Sequence, residues 1–218
     1  MTYCDYVVEY INNTPKSAPI YVADIGNMVR KDYKLPIEKA NAAVSVAMKR
    51  IMTRKQVSDL RFYQKGIYYR AETTPFGDTG IDKELLIIRK YLDNDQGYET
   101  GTRLLYKIGL TTQLPNTRLI ATNTAKVCIR HDEKLNVAVC PPRIRITRKN
   151  KDYLQLLDVL EMLDRTPIDA EDPYGILAEY IKQKDLEYGL LLALAYKYYP
   201  QRTIIHLAQT ASESEMII

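Results

Sequence analysis

The sequence predicts an α+β fold in two parts, and three observations predict it. Residues 35–71 read as one helix followed by a two-stranded ribbon. Residues 98–148 hold short apolar runs separated by turn residues, and residues 153–211 carry apolar side chains at helical spacing. The expected division is a helix-and-ribbon domain over residues 1–72 and a mixed α/β domain over 73–218, with a small sheet at 98–148 and a helical bundle at 152–211. At 218 residues the chain is long enough for two modest cores, and 46% apolar with 27% charged residues is an ordinary globular composition.

Taken in order, Tyr3, Tyr6, Val7, Tyr10 and Ile11 form the apolar stripe of a first helix that ends at Asn12, Asn13, Thr14 and Pro15. Residues 20–22 predict an edge strand. Residues 23–29 predict a short helix with Ile25, Met28 and Val29 pointing one way, and Pro36 then opens a third helix. In that third helix Ile37, Ala40, Val44, Ala47, Met48 and Ile51 form the buried stripe. Lys39, Asn41, Ala42, Ser45, Val46, Lys49 and Arg50 are left on the outer side. The ribbon turns at Lys65-Gly66 and sets Leu60, Phe62, Ile67 and Tyr69 on its packed face, against Arg61, Tyr63, Tyr68 and Arg70.

The turn-rich segment 72–83 is the expected domain boundary. A helix resumes over 84–94 with Leu85, Ile88 and Leu92 on one side, and a short helix over 101–108 closes at Gly109. Strands are expected at 118–122, 126–131 (joined to the preceding one by an Asn-Thr-Ala turn), 135–139 and 143–148. Leucines at 154, 157, 160 and 163 mark one late helix, and Ile176, Leu177, Tyr180 and Ile181 a second. Residues 186–199, apolar nearly all round, predict a third, central to the bundle. Packing is expected to end at Ala208, with the tail ASESEMII frayed.

A net charge of +4 is mild, but its distribution is uneven. Residues 35–71 hold Lys39, Lys49, Arg50, Arg54, Lys55, Arg61, Lys65 and Arg70 against Glu38 and Asp59 alone. A basic helix followed by a basic hairpin is the footprint of a winged helix-turn-helix: the helix enters a groove of double-stranded DNA and the wing touches the adjacent backbone. Asn41 and Ser45 are the candidates to reach base edges. Lys39, Lys49, Arg50, Arg54, Lys55, Arg61 and Lys65 suit phosphates. The run RIRITRKNK offers a second basic stripe, Arg143, Arg145 and Arg148, which serves DNA or protects an edge strand.

Other classes find little footing. Cys4, Cys128 and Cys140 are scattered and odd in number, so free thiols in a reducing cytosol are expected, with no metal and no cofactor. The N-terminus does not read as a signal peptide, and the apolar run 190–199 is too short for a membrane span. Of two histidines, His131 falls at a strand end and His206 among apolar residues as a packed side chain. Asp164, Asp169, Glu171 and Asp172 read as a solvated linker. No nucleophile elbow, metalloprotease motif or Gly-rich phosphate loop occurs, so no catalytic residue and no enzyme is expected.

Three stretches, in this order and spacing, resemble one family over residues 6–209. They are KGIYYR (65–70) followed by TTPFG (73–77), then TGTRLLYKIGLTTQLPNTRLIATN (100–123), then LAYKYYPQRTIIHL (194–207). Within the second, Gly109, Leu110, Thr111, Thr112, Gln113 and Pro115 carry the GLTTQLP motif. The chain resembles the AbiEi family, antitoxins of type IV toxin–antitoxin systems in bacterial abortive infection. That resemblance implies a cytoplasmic autorepressor that binds operator DNA through a winged helix. It also implies a C-terminal antitoxin domain that counters a nucleotidyltransferase-like toxin without a stable complex. Because some relatives lack an evident toxin, a stand-alone regulator or a protein-interaction module is the alternative. Thr111, Thr112 and Gln113 either fix a helix-to-strand corner or meet DNA or a partner. Oligomeric state is left open.

Overall fold

In the computed structural model, which describes residues 3–213, the chain is a mixed α and β protein organised as two compact units that divide between Leu86 and Ile87. The first begins with α1 (Tyr3–Asn13), β1 (Ile20–Tyr21), α2 (Val22–Tyr33) and α3 (Ile37–Thr53). It continues through β2 (Leu60–Gln64), β3 (Ile67–Arg70), β4 (Thr73–Thr74) and β5 (Gly77–Asp78). Strands β1, β3 and β2 form an antiparallel sheet in that order, so β1 is an edge as expected. Val7 and Ile11 of α1, Ile25 and Val29 of α2, and Ala40, Val44, Ala47, Met48 and Ile51 of α3 share one core with Ile20, Leu60 and Tyr68. The 3.6-residue spacing of these apolar side chains puts them on one face of each helix.

Several local expectations change. Helix α2 starts earlier and runs longer than read, and Val22 and Gly26 join its buried face while Met28 is left exposed. Its end is set by Lys34, which takes the left-handed conformation and donates its N–H to the Arg30 carbonyl. Pro36 is the cap of α3, and Ile37 its first residue. In the ribbon the packed face is Leu60 with Tyr68, and Phe62 stacks edge-on against Tyr68 at 5.5 Å but is more than half exposed. The cause is a bulge: Phe62 opposes Tyr68 and Gln64 opposes Ile67, so Tyr63 is an extra residue that reverses the side-chain parity beyond it. Ile67 and Tyr69 therefore do not share a face with Leu60.

Residues 73–86 group with the first unit, not the second. Thr79 N–H donates to the Glu72 carbonyl (2.8 Å), Asp82 N–H to the Ser17 carbonyl (2.8 Å), and the Ser17 and Thr79 hydroxyls bond each other at 3.0 Å. The TTPFG stretch is the β4–β5 hairpin with Phe76 fully exposed near its tip.

Helix α4 (Lys83–Ile87) runs on into a wider π-type turn, Ile88–Leu92, and a 3-10 turn, Asp93–Asp95. Leu86, Ile87 and Tyr91 are buried there, whereas Leu85 and Ile88 are exposed, so the inward face is one residue out of phase with the expected Leu85, Ile88 and Leu92 stripe. The second unit then holds β6 (Gly97–Thr100), α5 (Thr102–Ile108), β7 (Arg118–Thr122), β8 (Arg130–Asp132) and β9 (Val137–Cys140). After these come α6 (Lys151–Met162), α7 (Pro173–Gln183), α8 (Tyr188–Tyr198) and α9 (Gln201–Glu213). The sheet order is β6-β7-β9-β8, with β7 and β9 parallel. So β7 and β8 are not the expected hairpin: β9 lies between them. Strand β6 has every residue buried and was not read from the sequence.

Leu154, Leu156, Leu157 and Leu160 of α6 form the centre of this unit's core with Leu105, Leu110, Leu177, Ile181, Leu191 and Ala195. Two expectations fail here. Residues 143–148 are not a strand, and α8 is not central: it buries Leu191 and Ala195 but exposes Leu190, Leu192 and Tyr196. Residues 211–213 continue α9; the rest of the tail expected to fray lies outside the described residues.

Candidate nucleic-acid interface

Helix α3 is a long helix whose inner face is fixed by the core, which leaves its outer face defined by elimination. That face is Glu38, Lys39, Ala42, Val46, Lys49, Arg50 and Thr53, all exposed and spaced mostly three and four apart on one side of a helix, with three cations against one acid. Beyond its end Arg54 and Lys55 are exposed, and Lys65 is exposed at the β2–β3 turn. Gly66 makes that turn possible with φ of 80°, where a side chain is strained. Among the described residues none of Lys39, Lys49, Arg50, Arg54, Lys55 and Lys65 has an acidic partner. Six cations without ion-pair partners, on one helix, its exit and one hairpin tip, are groups suited to a polyanion.

Three expected contact residues are engaged elsewhere. Asn41 is half-buried and turns towards α2, where its Oδ1 is buried without a hydrogen-bond partner against Gly26. The Ser45 hydroxyl donates to the Asn41 carbonyl at 2.8 Å, the usual back-bond of a mid-helix serine. Arg61 donates from Nε and Nη2 to Asp78 Oδ2 (3.1 and 2.5 Å) and from Nη1 to the Ser58 carbonyl (2.8 Å). That pairing holds the Asp78 carboxyl below its ordinary range and ties the β4–β5 hairpin to β2. Arg70 is likewise held, by Asp59 and the Asn12 carbonyl, and Lys16 also pairs with Asp59.

The second basic stripe is not a sheet surface. Arg143 bonds the Glu161 carboxylate and the Tyr198 carbonyl, with its guanidinium 4.8 Å from the centre of the Tyr199 ring. Arg145 and Arg148 are exposed in a loop. That loop is held because Asn123 mimics a strand partner: it accepts from Ile146 N–H (2.8 Å) and donates to the Ile146 carbonyl (2.9 Å).

The GLTTQLP motif has a visible task. Gly109 closes α5 with φ of 88°, and Leu110 enters the core fully buried. Thr111 and Thr112 then grip Asp169: both hydroxyls donate to its carboxylate (3.2 and 2.7 Å), as does Thr112 N–H (2.7 Å). These bonds, the Thr112 N–H first, pull the Asp169 carboxyl below its ordinary range. The Leu110 carbonyl accepts from Asp169 N–H as well (3.0 Å). Gln113 is exposed and Pro115 half-buried. So the acidic segment is not a free linker: Asp169 is latched to the motif and Asp172 caps α7 through Gly175 N–H. Asp164 holds Nε2 of the buried His206 (3.1 Å), whose Nδ1 meets the Tyr174 hydroxyl. His131 is exposed within β8.

Two polar clusters around buried carboxylates escaped the sequence, the first because its members come from distant stretches. Asp158 of α6 accepts hydroxyl hydrogen bonds from Tyr98, Thr100 and Tyr199. Glu99 of β6 gathers Arg103, Lys107 and Arg118. Among the described residues no group of three metal-binding side chains is assembled, and no helix is long and apolar enough to cross a membrane. No protein-family model matches the chain, and no curated protein matches it in sequence.

Proposed function

We propose that the first unit is a winged helix-turn-helix that binds double-stranded DNA, and that the protein is a cytoplasmic autorepressor of the AbiEi antitoxin type. One observation carries the DNA-binding half. The first unit runs helix, strand, helix, helix, strand, strand with its sheet in the order β1-β3-β2, and the unpaired cations lie on α3 and on the tip of the β2–β3 hairpin. A helix set against a second helix and followed by a ribbon is the arrangement that puts one helix in the major groove and a ribbon tip on phosphate. In this reading Lys39, Lys49, Arg50, Arg54, Lys55 and Lys65 contact phosphates, and the apolar Ala42 and Val46 face the bases, where thymine methyl groups are their natural partners.

The antitoxin half rests on the resemblance of the three motif stretches alone. It names a nucleotidyltransferase-like toxin, countered without a stable complex.

Mobility shift of the purified protein on its own upstream duplex and on random duplex tests the first half. If about six phosphates are neutralised, affinity falls roughly a thousandfold for a fourfold rise in salt. Lys65→Ala and Arg54→Ala each weaken binding alike on both duplexes and lower the salt slope by about one. Absence of binding to either duplex rejects the reading. Co-expression with the neighbouring gene tests the second half: rescue of growth supports the antitoxin assignment, and unrelieved toxicity rejects it.

A further inference from the structure

Helix α8 carries an outward face that the described residues of its own unit leave uncovered. Looking down the helix, Leu192, Tyr196, Gly189, Ala193, Lys197 and Leu190 occupy one continuous arc, and all six are exposed. The arc has a shape. Gly189 and Ala193, one turn apart, make a shallow hollow, with open space where a side chain on Gly189 would stand. Tyr196, two turns from Gly189 on the same side, projects from it with 82% of its surface exposed; Leu192 is 50% exposed. A large apolar patch on a surface helix marks a contact site. Its two ends differ in charge: Glu187 precedes the helix and Lys197 lies in its last turn, and neither side chain has an oppositely charged partner among the described residues.

We infer that this face binds a second copy of the same chain, with the two α8 helices antiparallel about a two-fold axis beside Leu192 and Ala193. The pattern is complementary to itself under that operation, which is what a two-fold interface requires. Tyr196 of one copy fills the hollow at Gly189 of the other, Leu192 packs near its own equivalent, and Lys197 meets the acidic end of the opposite helix. The helix dipoles oppose favourably as well. The helix is roughly 16 Å long, which gives less surface than the ~800 Å² per partner of a standard stable interface, so the dimer is one that dissociates on dilution. It supplies two copies of the first unit per assembly. It rests on surface shape and charge, not on the DNA reading.

Sedimentation of the full chain without DNA, over a concentration series reaching about 100 µM, tests it independently of DNA binding. The weight-average mass rises from that of the 25.2 kDa chain towards twice that value. Tyr196→Glu weakens association by at least about tenfold, the loss of one well-packed interface side chain. Lys197→Glu weakens it too, and adding Glu187→Lys restores it; circular dichroism of each variant confirms that it is folded. A wild-type chain that stays monomeric across the series overturns the inference. So does a dimer indifferent to Tyr196→Glu.

Discussion

Asp158 is the residue on which the second unit's interior turns. It lies on α6 and takes three hydroxyl hydrogen bonds from two other segments: Tyr98 (2.9 Å) and Thr100 (3.2 Å) of β6, and Tyr199 (2.8 Å) after α8. Burial pushes its carboxyl above the ordinary range, against the opposing pull of those hydroxyls and of Arg143, and burial also lifts the nearby Cys140 thiol to about 11. The folded state therefore holds the protonated form of Asp158 more tightly than the unfolded chain does. The stability it contributes is complete below the unfolded value of about 3.9 and is lost as pH rises through the folded value. Asp158→Ala strands the buried Tyr98 and Thr100 hydroxyls, while Tyr199 keeps the Leu154 carbonyl as acceptor, and is expected to cost about 2–4 kcal/mol in urea unfolding. Asp158→Asn keeps an acceptor, cannot ionise, and gains on the wild type as pH rises from acid to neutral. Equal pH slopes for the wild type and Asp158→Asn would show that the carboxyl does not titrate between the two states.

Between elements, α2 packs on α3 in the first unit with a glycine at the crossing. A Cβ on Gly26 would collide with Asn41 Oδ1 and stand 3.5 Å from the Asn41 Cα. Gly26→Ala gains about 1 kcal/mol of helix propensity, and the group it meets is the movable end of the Asn41 side chain, so the net change in urea unfolding is within about 1 kcal/mol of zero. Asn41→Ala in the same chain removes that contact, and a double-mutant cycle reads the coupling directly. Asn41→Ala alone leaves the DNA sequence preference unchanged; a relaxed preference would return Asn41 to the base-reading side. The helical stripes of α1, α3 and α6 were legible because apolar spacing is a local property. What local pattern could not show is who partners whom. The alternation in RIRIT suggested a strand, yet its ladder bonds go to the side chain of Asn123. The parity of the ribbon was hidden by one extra residue at Tyr63, and Asn41 and Arg61 looked like DNA contacts until Gly26 and Asp78 claimed them. Helix α8 was misread because apolar content all round suits a buried helix, whereas here one side is uncovered.

At the scale of the whole molecule, each unit has its own core: one built on Val44, Met48 and Ile51 with their neighbours, the other on Leu154, Leu157 and Leu160. Chains with separate cores depart from a single two-state transition. Calorimetry is therefore expected to resolve two transitions. Ile51→Ala and Leu157→Ala, both at fully buried positions, each cost about 2–5 kcal/mol in one unit. Ile51→Ala lowers one transition and leaves the other in place; Leu157→Ala does the reverse. Variants that shift both transitions together would show that the units unfold as one. The same measurement tests the proposed DNA site. A ligand stabilises only the unit that binds it, by about 2.7 kcal/mol at a hundredfold excess over its Kd. Operator duplex is expected to raise the transition that Ile51→Ala lowers. A rise confined to the transition sensitive to Leu157→Ala would move the DNA site to the second unit and overturn the assignment of α3 and the hairpin tip as the contact surface.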